Sequence, residues 1–401
     1  MKKKVVLAFS GGLDTSYCAI YLSKEMGLEV HSVIVNTGGF SPTELDAIEK
    51  RALALGVATH ECIDVTKEYY DTCIKYMVFG NVLKNGAYPL SVSAERISQA
   101  TAIANHAKAM KADCICHGST GAGNDQVRFD MIFNTLAPGI EIIALVREKK
   151  LSREEEIEYL CAKGVDMDFK KAEYSINQGI WGTSVGGKET LSSSKTLPEE
   201  AYPSQLTRTD EEEVVLTFEK GELVAVNGKK FGHPTEAIRA LQAMAAPFAI
   251  GRDMHVGDTI IGIKGRVGFE AAAPMVIIKA HHMLEKHTLT KWQLFWKDQI
   301  AAFYGNHLHE GQYYDPVMRD IEAMLGSSQR TVTGDVFVKL LPYRFVVVGI
   351  NSKHDLMSSA FGSYGEIMNN AWTGQDVVGF GKIFGNQTMI YHKVNRDIEE
   401  K

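Results

Sequence analysis

The stretch AFSGGLDTS, residues 8–16, follows the short apolar run Val5–Ala8, and the residues after Thr15, SYCAIYLSKEM, have helical spacing. A buried strand, a glycine pair and a helix in that order predict a strand-to-helix turn in an α/β domain. Gly11 and Gly12 let the backbone come close to a ligand, and Ser10, Thr15 and Ser16 surround them with hydroxyls. Free N–H groups at the start of the helix complete an anion site. The ligand this turn predicts is a phosphate.

What the loop lacks narrows the choice. A kinase-type loop, G-x-x-x-x-G-K-[ST], carries a lysine to the β and γ phosphates, and no lysine follows this glycine pair. The dinucleotide pattern G-x-G-x-x-G is missing too. Outward from the loop, strand and helix patterns alternate as in a doubly wound parallel sheet. EVHSVIVN (29–36), THECIDV (59–65), ADCICHG (112–118) and the run from Glu141 to Val146 read as strands. PTELDAIEKRALALG (42–56), a segment from Glu68 toward Leu83, and SAERISQATAIANHAKAMKA (93–112) read as helices. Such sheets bind ligands at the carboxyl ends of their strands, where the first motif and the loop after Cys116 both fall.

That second loop, HGSTGAGNDQVRFD (117–130), has glycines at 118, 121 and 123 and gathers Thr120, Asn124, Asp125, Gln126 and Arg128. Polar groups of both signs at that density can hold a zwitterion. A glycine-rich turn capped by Asn124 or Asp125 is the purely structural alternative. The two loops also carry a resemblance. SGGLDTS resembles the pyrophosphate loop of the N-type ATP pyrophosphatases, which cleave ATP between its α and β phosphates. HGSTGAGNDQVRFD resembles HGATGKGNDQVRFE of the argininosuccinate synthase family.

This resemblance implies an ATP-dependent ligase of arginine biosynthesis that condenses citrulline with aspartate and releases AMP and pyrophosphate, with Mg²⁺ alongside the ATP. It places ATP at Ala8, Phe9, Ser10, Gly11, Gly12, Leu13, Asp14, Thr15, Ser16, Val35 and Gly118, and lets Asp14 reach Mg²⁺ indirectly. Tyr88 and Ser93 of AYPLSVSAER, with Asn124, Arg128, Ser175 and Ser184, are implied for citrulline. Thr120, Asn124 and Asp125 are implied for aspartate, so the second loop would serve one substrate at Asp125 and the other at Arg128. Arg96 follows at the family's spacing, and no side chain acts as a covalent catalyst. Departures from the pattern cluster near citrulline. The family's lysine in GKGN is Ala122, its Met-Asp after the first serine is Ile176-Asn177, and its glutamate and tyrosine align with Gly257 and Phe269. Asp258 and Glu270 are the candidates for the missing carboxylate.

Composition sets the remaining bounds. With 45% hydrophobic residues over 401, the chain can bury a sizeable core and divides into two or three domains. The expected division is a nucleotide-binding domain at 1–165, an α+β synthetase domain at 166–370 and a C-terminal helical oligomerisation tail at 371–401, the resemblance implying a homotetramer. The 43 basic and 49 acidic residues give a net charge of -6, which argues against nucleic acid as a partner. No run approaches membrane-spanning length, and the reading is cytoplasmic. Six cysteines without a C-x-x-C pair read as reduced thiols. A tRNA-thiolating relative would need a catalytic cysteine pair and a basic surface, and a non-catalytic nucleotide sensor would not need the second loop. Beyond residue 150 the reading is a helix from Arg153, a loop from Ser175 to Ser184, and a long surface connection over 186–213. The connection over 186–213 reads equally as a substrate-covering loop, and a tight turn at Asn227-Gly228, helices near 234–248 and 274–304, and a hairpin over 331–350 follow. His281, His282 and His287 read as structural, His307 and His309 as a solvated loop, and Trp292 with Trp296 as packing or subunit contact.

Overall fold

Strands β1 (Lys4–Ala8), β2 (Glu29–Asn36), β3 (Thr59–Asp64), β4 (Cys114–Cys116) and β5 (Glu141–Ile143) form one parallel sheet in the order β3-β2-β1-β4-β5. This computed structural model describes residues 2–165, 174–357, 362, 364 and 371–399. Alternate residues feed two cores: Val6, Val33, Val35 and Ile115 enter one, while Val5, Leu7, Ile34, Cys114 and Cys116 enter the other. Helices on both faces explain why the strands read as continuous apolar runs. Strand order reverses between β1 and β4, so a crevice opens there at the carboxyl ends of the strands.

The helices start where the sequence marks them. Ser41 and Glu44 form a capping box with Pro42 at the first position of Pro42–Ala54, and Gly56, at φ +88°, ends the turn beyond it. Two expectations need correction. The strand expected to reach Val146 stops at Ile143, because Leu145 and Val146 bury in the second core as part of a short helix, Leu145–Lys149. The helix expected from Glu68 begins at Thr66 and ends at Phe79, with a wide π-type turn over Tyr70–Ile74.

Residues Ser175–Gly179 (β6) and Gly182–Gly186 (β7) form an antiparallel hairpin rather than the expected loop. Its turn relies on Gly182 at φ +118°, where a Cβ would come within 2.8 Å of Ala271 Cβ. After β8 (Glu212–Glu219), β9 (Glu222–Val226) and β10 (Lys229–Lys230) come β11 (Arg252–Asp258) and β12 (Lys264–Glu270), which extend the hairpin into a sheet of order β11-β12-β7-β6. With β13 (Gly334–Leu341) and β14 (Arg344–Asn351), the strands β8 to β10 form a second antiparallel sheet, β10-β9-β8-β13-β14. Asn227 and Gly228, both at positive φ, make the expected tight turn. The stretch 186–213 is pinned by Leu197 and Ala201, buried against Val185.

Residues up to His354 form one compact unit and those from Asp355 another. In the second, helices Gly374–Phe384 and Asn386–Val394 carry exposed Phe380, Ile383, Phe384 and Ile390. Both expected domain boundaries, at 165/166 and 370/371, adjoin residues outside those described. His281 is buried, bonded to Asn81 Oδ1 at 2.7 Å and Gln329 Oε1 at 2.9 Å. His309 is a correction: it ends the helix Lys291–His309 and is buried against Arg128 instead of lying on a solvated loop.

Candidate active site

The turn after β1 is held by its own polar groups. Ser16 Oγ donates to Gly12 O at 2.7 Å and Thr15 Oγ1 lies 3.3 Å from Ser10 Oγ. Gly12 opens the helix Leu13–Ile20 without a capping side chain, which leaves the first N–H groups of that helix directed at the crevice. Only Gly11, at φ +76°, needs the left-handed region; Gly12 is extended at φ -80°, ψ -179°. Glycine at 12 therefore provides space rather than backbone freedom.

The second loop lies directly against the first. A Cβ on Gly118 would come within 3.2 Å of both Asp14 Cβ and Thr15 Cγ2, so any larger residue would press the two loops apart. Gln126 Nε2 donates to Gly121 O at 2.6 Å and shapes the turn from inside. His117 and Arg147 both bind Asp130, at 2.9 and 2.6 Å, and fasten the loop to the helix Asp125–Leu136. Thr120 is exposed at the loop tip. Asn124 caps no helix through its side chain; its Oδ1 accepts from Ile260 N at 2.9 Å, tying the loop to the β11–β12 turn.

Asp125 is the centre of an ion cluster. Arg96 Nε donates to its Oδ2 at 2.9 Å and Arg128 Nη1 to its Oδ1 at 2.8 Å. The two guanidiniums outweigh the opposing effect of burial, which is the largest single influence, and hold the carboxyl down at about 2. Arg96 also donates to Glu95 Oε1 at 2.8 Å and Asn177 Oδ1 at 2.9 Å, so it joins the nucleotide half to β6. Arg128 is buried, its Nε on His309 O at 2.8 Å. Asn177, one of the sequence departures, thus serves as a neutral acceptor for Arg96. The family's spacing points to Arg96 and Arg128, but nothing in the pattern names Asn177 as the neighbour of the first or His309 as that of the second.

The register of the hairpins sets the far wall. Asn177 pairs with Ser184, Ser184 with Phe269 and Phe269 with Asp253, so with the two-residue period Ser175, Asn177, Ser184, Phe269, His255 and Gly257 share one face. Tyr88 lies there, its ring stacked on His255 at 4.9 Å and tilted against Phe269 at 5.4 Å. Its hydroxyl accepts from Val92 N at 3.2 Å, while the nearby Ser93 Oγ is buried without a partner. Glu270 faces the opposite side, where Arg252 Nε reaches it at 2.8 Å. Asp258 is exposed and paired with Lys264 at 2.5 Å. Neither can supply the carboxylate for which it was a candidate, since the alternation of the strands turns both away. Val35 lies buried near the end of β2.

Among the described residues no three His, Cys, Asp or Glu side chains converge on a metal position. Asp14 sits instead against Glu156 of the helix Arg153–Ala162, a buried residue whose Oε2 has no partner. Burial first, then Asp14, pushes the Glu156 carboxyl up to about 8. The fold therefore favours the neutral acid, and its contribution is fully present below the ordinary carboxylate range and lost as pH rises through about 8. Loss of the Glu156 proton would add a second negative charge beside Asp14 at the phosphate loop, so ATP affinity is expected to weaken as pH rises through about 8 in the wild type and to stay level in Glu156→Gln. A titration showing the same alkaline weakening in both proteins would remove Glu156 from this role.

A phosphate-type loop at the switch point of a parallel sheet, followed by an antiparallel α+β part that walls the crevice, defines a nucleotide-dependent synthetase of the HUP class. Residues 4–166 match the model of the arginosuccinate synthase N-terminal HUP domain, and residues 174–391 match that of the arginosuccinate synthase C-terminal domain. The chain belongs to the argininosuccinate synthase family, whose members are ATP-dependent ligases. It is 36% identical to the argininosuccinate synthase of Xylella fastidiosa over 99% of both chains. It is 35% identical to that of Methanocaldococcus jannaschii over 98% of both, and 35% identical to that of Dictyoglomus thermophilum over 97% of this chain and 98% of the relative.

Proposed function

We propose that this chain condenses citrulline with aspartate at the expense of ATP, giving argininosuccinate, AMP and pyrophosphate. The observation that carries the reading is the contact of Gly118 with Asp14 and Thr15, which sets the two glycine loops side by side at one crevice. The β1 loop would receive the β and γ phosphates on helix N–H groups and the hydroxyls of Ser10, Thr15 and Ser16. Magnesium, carried in with ATP, would neutralise phosphate charge. Arg128, Tyr88, Ser93, Ser175 and Ser184 would hold citrulline so that its ureido oxygen meets the α phosphorus and displaces pyrophosphate. Thr120, Asn124 and Asp125 would then hold aspartate, whose amine attacks the ureido carbon and displaces AMP. Such a site works by positioning and by keeping water out, with no covalent link to the protein.

The deciding measurement is the identity of the nucleotide product. ATP with both amino acids is expected to yield AMP and pyrophosphate in equal amounts. ADP and orthophosphate as direct products, or ATP binding without turnover, would overturn the assignment.

A cytoplasmic homotetramer completes the proposal. No described helix is long and apolar enough to cross a membrane. The exposed Phe380, Ile383, Phe384 and Ile390 of the tail are apolar surface that a second subunit would cover. Truncation after Gly374 is expected to lower the sedimenting mass from tetramer to smaller species; an unchanged mass would place the interface elsewhere.

A further inference from the structure

The wall formed by β11 and β12 asks what kind of citrulline it fits. Free citrulline carries a single cation, its α-ammonium, and a site for it should set a carboxylate nearby. Among the described residues, the face shared by His255, Gly257 and Phe269 sets none beside Gly257. Gly257 has no side chain, and a Cβ there would fall 2.6 Å from His255 Nε2 and 3.3 Å from Asn85 Nδ2. The imidazole has taken the place toward which a longer residue would point. Asp253, at the far end of β11, is exposed and bonded to Met254 N, while Asp125 is shared by two arginines.

What stands beside that face is positive. Lys84 opens the turn that carries Tyr88, and its Nζ has a neutral partner, Asn306 Oδ1, at 2.8 Å. Among the described residues no carboxylate lies within ion-pair distance of it; Glu310 and Asp258 act on it from further away and are exposed. Burial, with Lys84 as the second cause, lowers the proton affinity of His255, so its imidazole is neutral near pH 7. A free ammonium placed here would meet a lysine and a neutral ring, whereas an amide N–H and a carboxylate would each find a partner.

We infer that the ureido substrate of this site is a citrulline acylated at its α-nitrogen, with an acyl group that ends in a carboxylate, the amide facing His255 and Gly257 and the terminal carboxylate facing Lys84. The inference rests on the citrulline reading above and narrows it. The bond-forming steps are unchanged, because the ureido group lies at the other end of the molecule.

The test measures pyrophosphate release by the full-length chain with MgATP and aspartate, using citrulline, N-acetylcitrulline or N-succinylcitrulline in turn. The expected order of kcat/KM is succinyl first, acetyl about tenfold lower and citrulline lower again. Lys84→Met, checked for folding by circular dichroism, should bring the succinyl value down to the acetyl one. Citrulline equalling or exceeding both acylated forms would overturn the inference and leave the family reaction standing. Acetyl matching succinyl, or an unchanged succinyl preference in Lys84→Met, would overturn the assignment of the acidic tail. Pyrophosphate release with none of the three would overturn the underlying reaction as well.

Discussion

Asp125→Asn is expected to lose citrulline-dependent exchange of labelled pyrophosphate into ATP as fully as Arg128→Lys does, on the order of 10²-fold, because it disorganises both substrate sites. The loop reading from sequence gave aspartate to Asp125 and citrulline to Arg128. In the fold these two side chains are one salt bridge at 2.8 Å, and Arg96 completes the cluster from the other side at 2.9 Å. Removing the carboxylate charge leaves the buried Arg128 with no anionic partner among the described residues, its other hydrogen bonds going to His309, whereas Arg96 keeps Glu95 and Asn177. Breaking a fully buried pair costs about 3–5 kcal/mol, and since the Asp125 side chain is 36% exposed the expected loss of stability is roughly 1–3 kcal/mol. The stability that this carboxylate contributes is present above its ordinary range and is lost as pH falls through about 2, so Asp125→Asn should also flatten the acid limb of the wild-type stability profile. Wild-type exchange in a folded Asp125→Asn protein, with only the aspartate step impaired, would show that the two side chains serve their substrates independently of the salt bridge.

Gly11→Val and Gly12→Val are expected to fail for different reasons. At Gly11 the φ of +76° excludes a β-branched residue and the new Cβ would lie 3.1 Å from Ile48 Cγ1, so strain of about 1–3 kcal/mol appears in the ligand-free protein and the loop shifts. Turnover should fall by two orders of magnitude or more, with a lower thermal midpoint. At Gly12 the backbone suits any residue and the nearest atom, Ser10 Oγ, is 3.4 Å away. Its valine variant should keep the wild-type midpoint and still lose activity, because the side chain occupies phosphate space. Equal midpoints for all three proteins would show that the positive φ at Gly11 carries no strain of consequence.

Local physics made much of the chain readable. Apolar runs such as Glu29–Asn36, the Ser41–Pro42–Glu44 cap, and glycine pairs where backbone must approach a phosphate each leave a short-range pattern, and the fold repeats them with small shifts at the ends. Both glycine loops were legible for that reason. The hairpin Ser175–Gly186 was not, since its polar, glycine-rich strands carry no apolar alternation and gain their structure from pairing with β12 and from Arg96.

The sequence by itself determined the parallel nucleotide-binding sheet, the two loops at the carboxyl ends of its strands and the family to which they point, because those features are written in neighbouring residues. Only the tertiary structure decided how charges are shared among distant segments. Arg96, Asp125 with Arg128, Asn177 and His309 come from four separate elements, and a carboxylate's partner depends on which side chains the packing brings within 3 Å. The same holds for the acid candidates at 258 and 270: a single-residue step along a strand reverses the face, and only strand register shows that both carboxylates point away from the site.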